Sequence, residues 1–315
     1  MLVLSREPFS APVGAPGVAL EDAPLSLRWR ADAVLIGVTV VWGADFVLVK
    51  NLLAVVPPLP FLFWRFAFAT ALCALFLRGR RLTPRLVADG LYLGLLLTLG
   101  MGLQILGQVE TSASNASFLT GMASVLTPVA AYLLTRKLPT IENGLGITLA
   151  GAGFVLMTFP PGRFAVNRGD LLVFGCGVVF AFYIVEMAER SGRHDCVWFT
   201  AIQIFVVTVA AGAAALWMGG LPAVRSGLEP LLSRPGLLVQ AVLLAVVGTA
   251  GTYAFQTWAQ QHMSATHAAI IYTLEPVVTA LLAGWFLGER LGPRGWTGGL
   301  LVLAGIAVSE VRLRR

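Results

Sequence analysis

From Ala31 to the C-terminus, charged residues nearly vanish from one run of about 20 residues after another, each long enough to cross a hydrocarbon core of about 30 Å. In lipid, every backbone N–H and C=O must find its partner within the chain, so apolar runs of this length fold as helices. Composition agrees: 57% of the residues are hydrophobic and 12% charged, with a mean hydropathy of +0.81. A soluble protein carries about 25% charged residues, so charge is roughly halved. The chain reads as an all-α, polytopic membrane protein.

Breaking the 315 residues at their charge and Pro/Gly clusters gives ten transmembrane helices, near 32–54, 58–77, 87–108, 114–135, 141–159, 170–189, 196–218, 236–259, 265–287 and 294–311. Most connections are short, so consecutive helices are expected to lie antiparallel and adjacent. Residues 1–31 contain Pro8, Pro12, Pro16 and Pro24 and lack a sustained apolar core. They read as a disordered cytoplasmic tail and not as a signal peptide, which leaves the first span as the targeting segment. With the N-terminus inside, inner segments hold fourteen Lys and Arg and outer loops six, so both termini are expected to be cytoplasmic. This asymmetry accounts for the net charge of +6 better than nucleic acid does, because the basic residues are scattered through short loops. Cys73, Cys176 and Cys196 lack paired spacing and suggest neither disulfides nor a metal site. With no catalytic triad, metal cluster or phosphate loop in view, no cofactor is expected and no enzyme is read.

The halves repeat. A shift of 152 residues carries "SASNASFLTG" (112–121) onto "SATHAAIIYT", Gln104 onto Gln256, Gln108 onto Gln260, Gly146 onto Gly298 and Gly153 onto Gly305. A shift of 138 carries Asp32 onto Asp170, Gly37 onto Gly175 and Thr70 onto Thr208. Each half, 32–159 and 170–311, holds five spans. An odd number starts the second half on the opposite side of the membrane, so the repeats are inverted, as in alternating-access transporters.

"VVWGADFVLVK" (40–50), "FWRFAFA" (63–69), "TSASNASFLTGMASVLTP" (111–128) and "SATHAAIIYTLEPVVTALLAGWFLGERL" (264–291) resemble EamA-type members of the drug/metabolite transporter superfamily. The resemblance covers about 32–311 and is most specific at Glu275-Pro276 and the Gly-Glu-Arg that follows. It implies a ten-helix inverted-repeat carrier in the plasma (inner) membrane, often an exporter of amino acids, other metabolites or toxic compounds. It does not name a substrate.

A charge inside a span is costly, about 2.5–3.5 kcal/mol at mid-depth, so each needs a partner, a proton or water. Asp45, Lys50, Arg65, Glu186 and Glu275 are in that position. Glu275 falls near the midplane, and Pro276 removes the donor that the carbonyl of Tyr272 would use. Carboxylate and carbonyl together suit a substrate ammonium, a cation or a coupling proton; the alternative is a packing kink with a neutral glutamate. The first half has Ala123 in the matching place.

Asp45 and Arg65 lie 12 and 8 residues from Pro57, so their depths differ by about 6 Å. They are either a structural ion pair or an outer gate. Arg65 matches the family's usual arginine, whereas Asp45 departs from its usual small polar residue. Lys50 is near a span end and reads as reaching the headgroups. Gln104 and Gln108 form one helix stripe, and Thr249, Tyr253, Gln256 and Gln260 another. Both must face protein or a wet cavity, as alternating gates or as interhelical glue.

Trp42 and Tyr183 line a cavity or simply pack. Glu186 reads as interfacial, and His267 as a surface histidine or part of a proton path. The partners expected are a small-molecule substrate, the lipid bilayer and protons as coupling ion; a homodimer stays open. A non-transporting sensor, a lipid-processing enzyme or a channel remain as other classes.

Overall fold

The computed structural model describes residues 25–77, 81–136, 141–158 and 167–310. Among them every regular element is a helix: α1 (Leu25–Leu53), α2 (Pro58–Ala74), α3 (Pro84–Glu110), α4 (Ala113–Thr135), α5 (Ile141–Thr158), α6 (Arg168–Arg190), α7 (Cys196–Ser226), α8 (Glu229–Ser233), α9 (Pro235–Ala245), α10 (Thr252–Gln260), α11 (Ala265–Tyr272), α12 (Leu274–Phe286) and α13 (Pro293–Glu310). Seven stretches are long and apolar enough to cross a membrane, and 58–74 and 144–153 form shorter apolar helices.

Side-chain caps open several helices. Ser112 Oγ accepts from Asn115 N at the start of α4, and Ser264 Oγ accepts from His267 N at the start of α11. The two caps are 152 residues apart, one repeat of the sequence. Pro58 and Pro84 sit in first turns, where the missing N–H costs nothing.

Three boundaries differ from the sequence reading. α1 begins at Leu25, seven residues before the expected 32, because Pro24 is the last breaker before Gly37. The remainder of the expected tail, 1–24, lies outside the described residues, as do Arg78, Arg80, Lys137, Arg163 and the arginines beyond 310. The expected eighth helix is interrupted by a π-helical turn, Val246–Gly251, between α9 and α10. The expected ninth breaks at Thr273, between α11 and α12, three residues before Pro276. α7 agrees with its expected end at 218: backbone at Gly219 and Gly220 leaves the helix there, with φ +64° at Gly220.

Packing departs most from expectation. The extensive contacts join the two halves, not chain neighbours: α5 on α13, α3 on α6 and α7, α4 on α6, α2 on α7, and α1 on α12 and α10. Lipid gives an apolar face no preference for its sequence neighbour, so close approach at small residues decides who packs with whom. A Cβ on Gly153 would run into the carbonyl of Gly298 and lie 2.9 Å from Val302 N; one on Gly305 would lie 2.5 Å from the carbonyl of Gly146. With the 152-residue offset, this is one contact made twice. Thr70 and Thr208 hydroxyls, 138 apart, meet at 2.8 Å. Tyr253 donates to Met101 Sδ, 152 residues away, at 3.3 Å.

We expect Gly153→Ala to destabilise the α5–α13 contact by about 1–3 kcal/mol, because backbone must move to admit the methyl group. A thermal midpoint in detergent equal to wild type would show that this contact is loose.

Large apolar side chains such as Trp217, Trp285 and Leu281 face outward, while Gln108, Gln203, Thr249 and Thr279 are buried. That is the inverse of a water-soluble protein.

Candidate functional site

The halves enclose a chamber with about 660 Å³ of non-atom space counted to its mouth, inside which the centre of a water molecule has about 70 Å³ to occupy. That is room for several waters or a small group. α1 contributes Trp42, Asp45 and Phe46, α2 Arg65, α3 Met101 and Gln104, and α4 Thr120 and Ser124. From the other half come Phe180, Tyr183, Tyr253, Gln256, Tyr272 and Glu275. Nine of the residues singled out in the sequence thus meet on one surface.

Asp45 and Arg65 form a bidentate pair, Nη1 to Oδ2 and Nη2 to Oδ1, both 2.9 Å, with both residues buried. The π turn completes it. Arg65 Nε donates to Thr249 Oγ1 at 2.8 Å, and Nη2 also donates to the carbonyl of Gly248 at 3.1 Å. Thr249 in turn donates back to Leu244 O at 2.8 Å. The wider turn therefore holds an acceptor set that a regular helix would keep for itself. A Cβ at residue 248 would lie 2.5 Å from Asp45 Oδ1, so glycine there makes room for the carboxylate.

Glu275 stands on the first turn of α12, buried, with its carboxylate making no hydrogen bond among the described residues. Its backbone is anchored. Thr279 Oγ1 donates to the carbonyls of Gly43 and Glu275, both at 3.0 Å, and Gly43 lets α12 lie against α1.

Trp42 forms the floor between two tyrosines, with ring centroids 5.6 Å from Tyr253 and 5.8 Å from Tyr272. Its Nε1 donates to Thr252 Oγ1 at 3.0 Å. The glutamine stripes divide. Gln104 and Gln256 line the chamber, donating to Thr120 Oγ1 (3.3 Å) and Tyr272 OH (2.9 Å), two bonds related by the 152-residue shift.

Gln108 and Gln260 do not line it. Gln108 donates to Phe46 O at 2.7 Å, Gln260 to Ile184 O at 3.4 Å, and Gln260 accepts from Tyr272 OH at 3.4 Å. One helical turn beyond the chamber, these two tie helices together.

Set against the repeat, the site is unequal. The 138-residue shift carries Asp45 onto Tyr183 and Arg65 onto Gln203, and these too are bonded, Tyr183 OH to Gln203 Oε1 at 2.8 Å. An ion pair in the first half is matched by a neutral pair in the second, and Glu275 by Ala123.

Lys50 does not reach for headgroups. Its Nζ donates to the carbonyls of Gln108 (2.8 Å), Val109 (3.2 Å) and Thr111 (2.7 Å), closing the C-terminus of α3, where cations are favoured. Glu289 of the Gly-Glu-Arg caps the N-terminus of α4, accepting from Ala113 N (2.8 Å), Ser114 N (3.0 Å) and Ser114 Oγ (2.7 Å). We expect Glu289→Ala to cost about 1 kcal/mol and to speed hydrogen exchange at Ala113 and Ser114; unchanged exchange would remove the cap.

Glu186 is buried, accepting from Tyr92 OH at 3.3 Å and from Arg190, which also pairs with Asp89. His194 Nε2 meets Asp89 at 2.7 Å. His267 pairs with Asp32 at 2.8 Å at an exposed position. Among the described residues no three His, Cys, Asp or Glu side chains are grouped as a metal would need.

The sequence reading missed Met101, Thr120, Phe46 and Phe180 as lining residues. For two of them the repeat carried the signal, since Met101 and Thr120 are the counterparts of Tyr253 and Tyr272.

A chain whose described elements are all helices, with an apolar exterior and buried charged groups lining a chamber between its halves, is a multi-pass membrane protein. It belongs to the EamA-like transporter family, whose pattern matches residues 29–159 and again 167–310. An uncharacterized transporter of Archaeoglobus fulgidus is 26% identical, over 91% of this chain and 87% of its own. The uncharacterized transporters YvbV and YyaM of Bacillus subtilis are 26% and 24% identical, over 90% and 89% of this chain and 93% of each relative. One solved crystal structure superposes with a TM-score of 0.59 at 17% identity, covering 89% of this chain and 96% of the other, a likeness of fold. The names of family and relatives point to transport and not to an enzyme, with a small-molecule substrate and lipid surroundings.

Proposed function

We propose that the protein is a secondary active carrier that moves a small organic metabolite by alternating access, with Glu275 as the group that binds substrate or a coupling proton. The observation that carries this reading is the buried Glu275 carboxylate, without a hydrogen bond among the described residues, in a chamber between the halves. Burying a carboxylate with no cation is costly, and the group escapes that cost by taking up a proton or a cation. A site that must be occupied by one or the other suits exchange.

Ten spans are proposed, with α9–α10 and α11–α12 each counted once and α8 left out. Two inverted repeats, near 32–159 and 170–311, are supported by the two family matches and by the packing. Exchanging the first five spans for the last five carries each of these helix pairs onto another pair in contact, with α3 on α7 matched by α2 on α9 and the π turn. Cytoplasmic termini rest on the basic-residue count, and outward movement across the plasma (inner) membrane rests on the family resemblance. Trp42, Tyr183, Tyr253, Tyr272, Gln104 and Gln256 shape the chamber, Asp45–Arg65 braces it, and Gln108 and Gln260 join helices at its ends.

The test is a screen of small organic compounds in proteoliposomes, with and without an imposed pH gradient. Flux that follows the gradient supports a proton-coupled carrier. Flux indifferent to the gradient keeps the carrier and removes the proton; vesicles as tight as protein-free ones to every compound would sink the reading.

A further inference from the structure

We infer that the chamber takes a small organic cation with N–H donors, a protonated primary or secondary amine on an apolar or aromatic body, and rejects amino acids that keep a free carboxylate. This rests on the chamber being the substrate site and narrows what enters it.

Charge comes first. Asp45, Arg65 and Glu275 are the charged side chains lining the chamber among the described residues. Asp45 and Arg65 cancel, so once Glu275 gives up its proton one negative charge is left for the occupant to balance.

Arg65 has no fork to offer a substrate: four of its five N–H groups are used within the fold, and one on Nη1 is left. A guanidinium has five N–H groups. In this one Nε serves Thr249, Nη1 serves Asp45, and Nη2 serves both Asp45 and Gly248 O. A ligand carboxylate seeking a bidentate fork would have to evict Asp45. A zwitterion entering the chamber would therefore satisfy Glu275 with its ammonium and leave its own carboxylate at most one N–H of an arginine whose charge Asp45 already balances.

Two acceptors in the lining lack a partner among the described residues. Gln260 Nε2 donates to the carbonyl of Ile184, so its Oε1 must accept from Tyr272 OH. Tyr272 OH in turn accepts from Gln256 Nε2 at 2.9 Å. The other end of that amide, Oε1, is buried with no partner. Glu275 and Gln256 both line the chamber, and each carries an acceptor without a hydrogen bond among the described residues. A quaternary ammonium would balance the charge and leave both acceptors unbonded; an N–H cation does both.

Six aromatic rings share the lining: Trp42, Phe46, Phe180, Tyr183, Tyr253 and Tyr272. Trp42 sits between Tyr253 and Tyr272, and Phe180 packs on Tyr183 with centroids 6.0 Å apart. Such faces accept an apolar body and attract a cation.

The experiment is direct binding to the purified full chain in lipid nanodiscs, by calorimetry and thermal midpoint at one fixed pH. The probes are 2-phenylethylamine, butylamine, phenylalanine, 3-phenylpropionate and trimethyl(2-phenylethyl)ammonium. At least one of the two amines is expected to bind and to raise the midpoint. Phenylalanine and 3-phenylpropionate are expected to bind at least about thirtyfold more weakly, and the quaternary ion at least about tenfold. Glu275→Gln is expected to lose the amine by at least about thirtyfold.

Phenylalanine binding as tightly as the amine, or failure of both amines to bind, overturns the inference. A quaternary ion equal to the primary amine overturns the requirement for N–H donors. The wild-type series needs no variant, so a poorly folding Glu275→Gln does not blunt it. Amine binding without flux would keep this inference and sink the carrier reading, whereas flux of an anion or zwitterion would do the reverse.

Discussion

Glu275→Gln is expected to bring gradient-driven flux down to the leak of protein-free vesicles while leaving membrane insertion and a monodisperse elution profile intact. Glutamine is nearly isosteric, and the bonds that anchor this turn are made by backbone carbonyls and Thr279, so the fold loses little. What disappears is the ability to carry a negative charge, and with it the reason for a proton or cation to enter. Glu275→Asp keeps the charge and shortens the reach, and is expected to retain partial flux. Full flux in Glu275→Gln would reduce Glu275 to a packing residue and move attention to Asp45.

The second large effect concerns the ion pair. Asp45→Ala and Arg65→Ala each strand a buried charge, and removing one partner of such a pair costs about 3–5 kcal/mol. Against a total stability of about 5–15 kcal/mol, either should sharply reduce the folded, monodisperse yield. The neutral double variant Asp45→Asn/Arg65→Gln leaves no stranded charge and is expected to recover much of that yield. Exchanging the two residues should recover less, because Thr249 Oγ1 and Gly248 O are placed as acceptors for Arg65, and residue 248 leaves space only for a carboxylate. Single variants with wild-type yield and midpoint would mean the pair contributes little to stability.

Much of the chamber was legible in the sequence because lipid makes polar groups conspicuous. Asp45, Arg65, Gln104, Gln256 and Glu275 each stood out as a cost needing a partner, and each lines the chamber. Pro276 marked a missing donor, yet the span was read as continuous over 265–287, and the helix breaks at Thr273.

Depth was harder. Helical spacing puts Gln104 with Gln108 and Gln256 with Gln260 on one face, yet a face runs past the chamber, and the outer member of each pair ends in a backbone bond. Lys50 was misread because its acceptors lie on another helix, which spacing along α1 does not reveal. The π turn was invisible for the same reason: its Thr249 Oγ1 and Gly248 O accept from Arg65 on α2, far away in sequence. Helix neighbours were misjudged because short loops limit distance without conferring attraction, and the glycines on α5 and α13 do.

The Thr70–Thr208 contact carries a consequence for energetics. In the alternating-access scheme proposed above, the two states differ by exchange of the halves' shapes. A bond between a residue and its own repeat image is identical before and after that exchange. Replacing both threonines should therefore raise or lower the two states together and leave their ratio untouched. The Asp45–Arg65 pair and its image Tyr183–Gln203 are unlike, so exchange places an ion pair where a neutral pair stood. The resting bias between inward-facing and outward-facing populations is then a property of this chemical mismatch, tunable at positions 45, 65, 183 and 203.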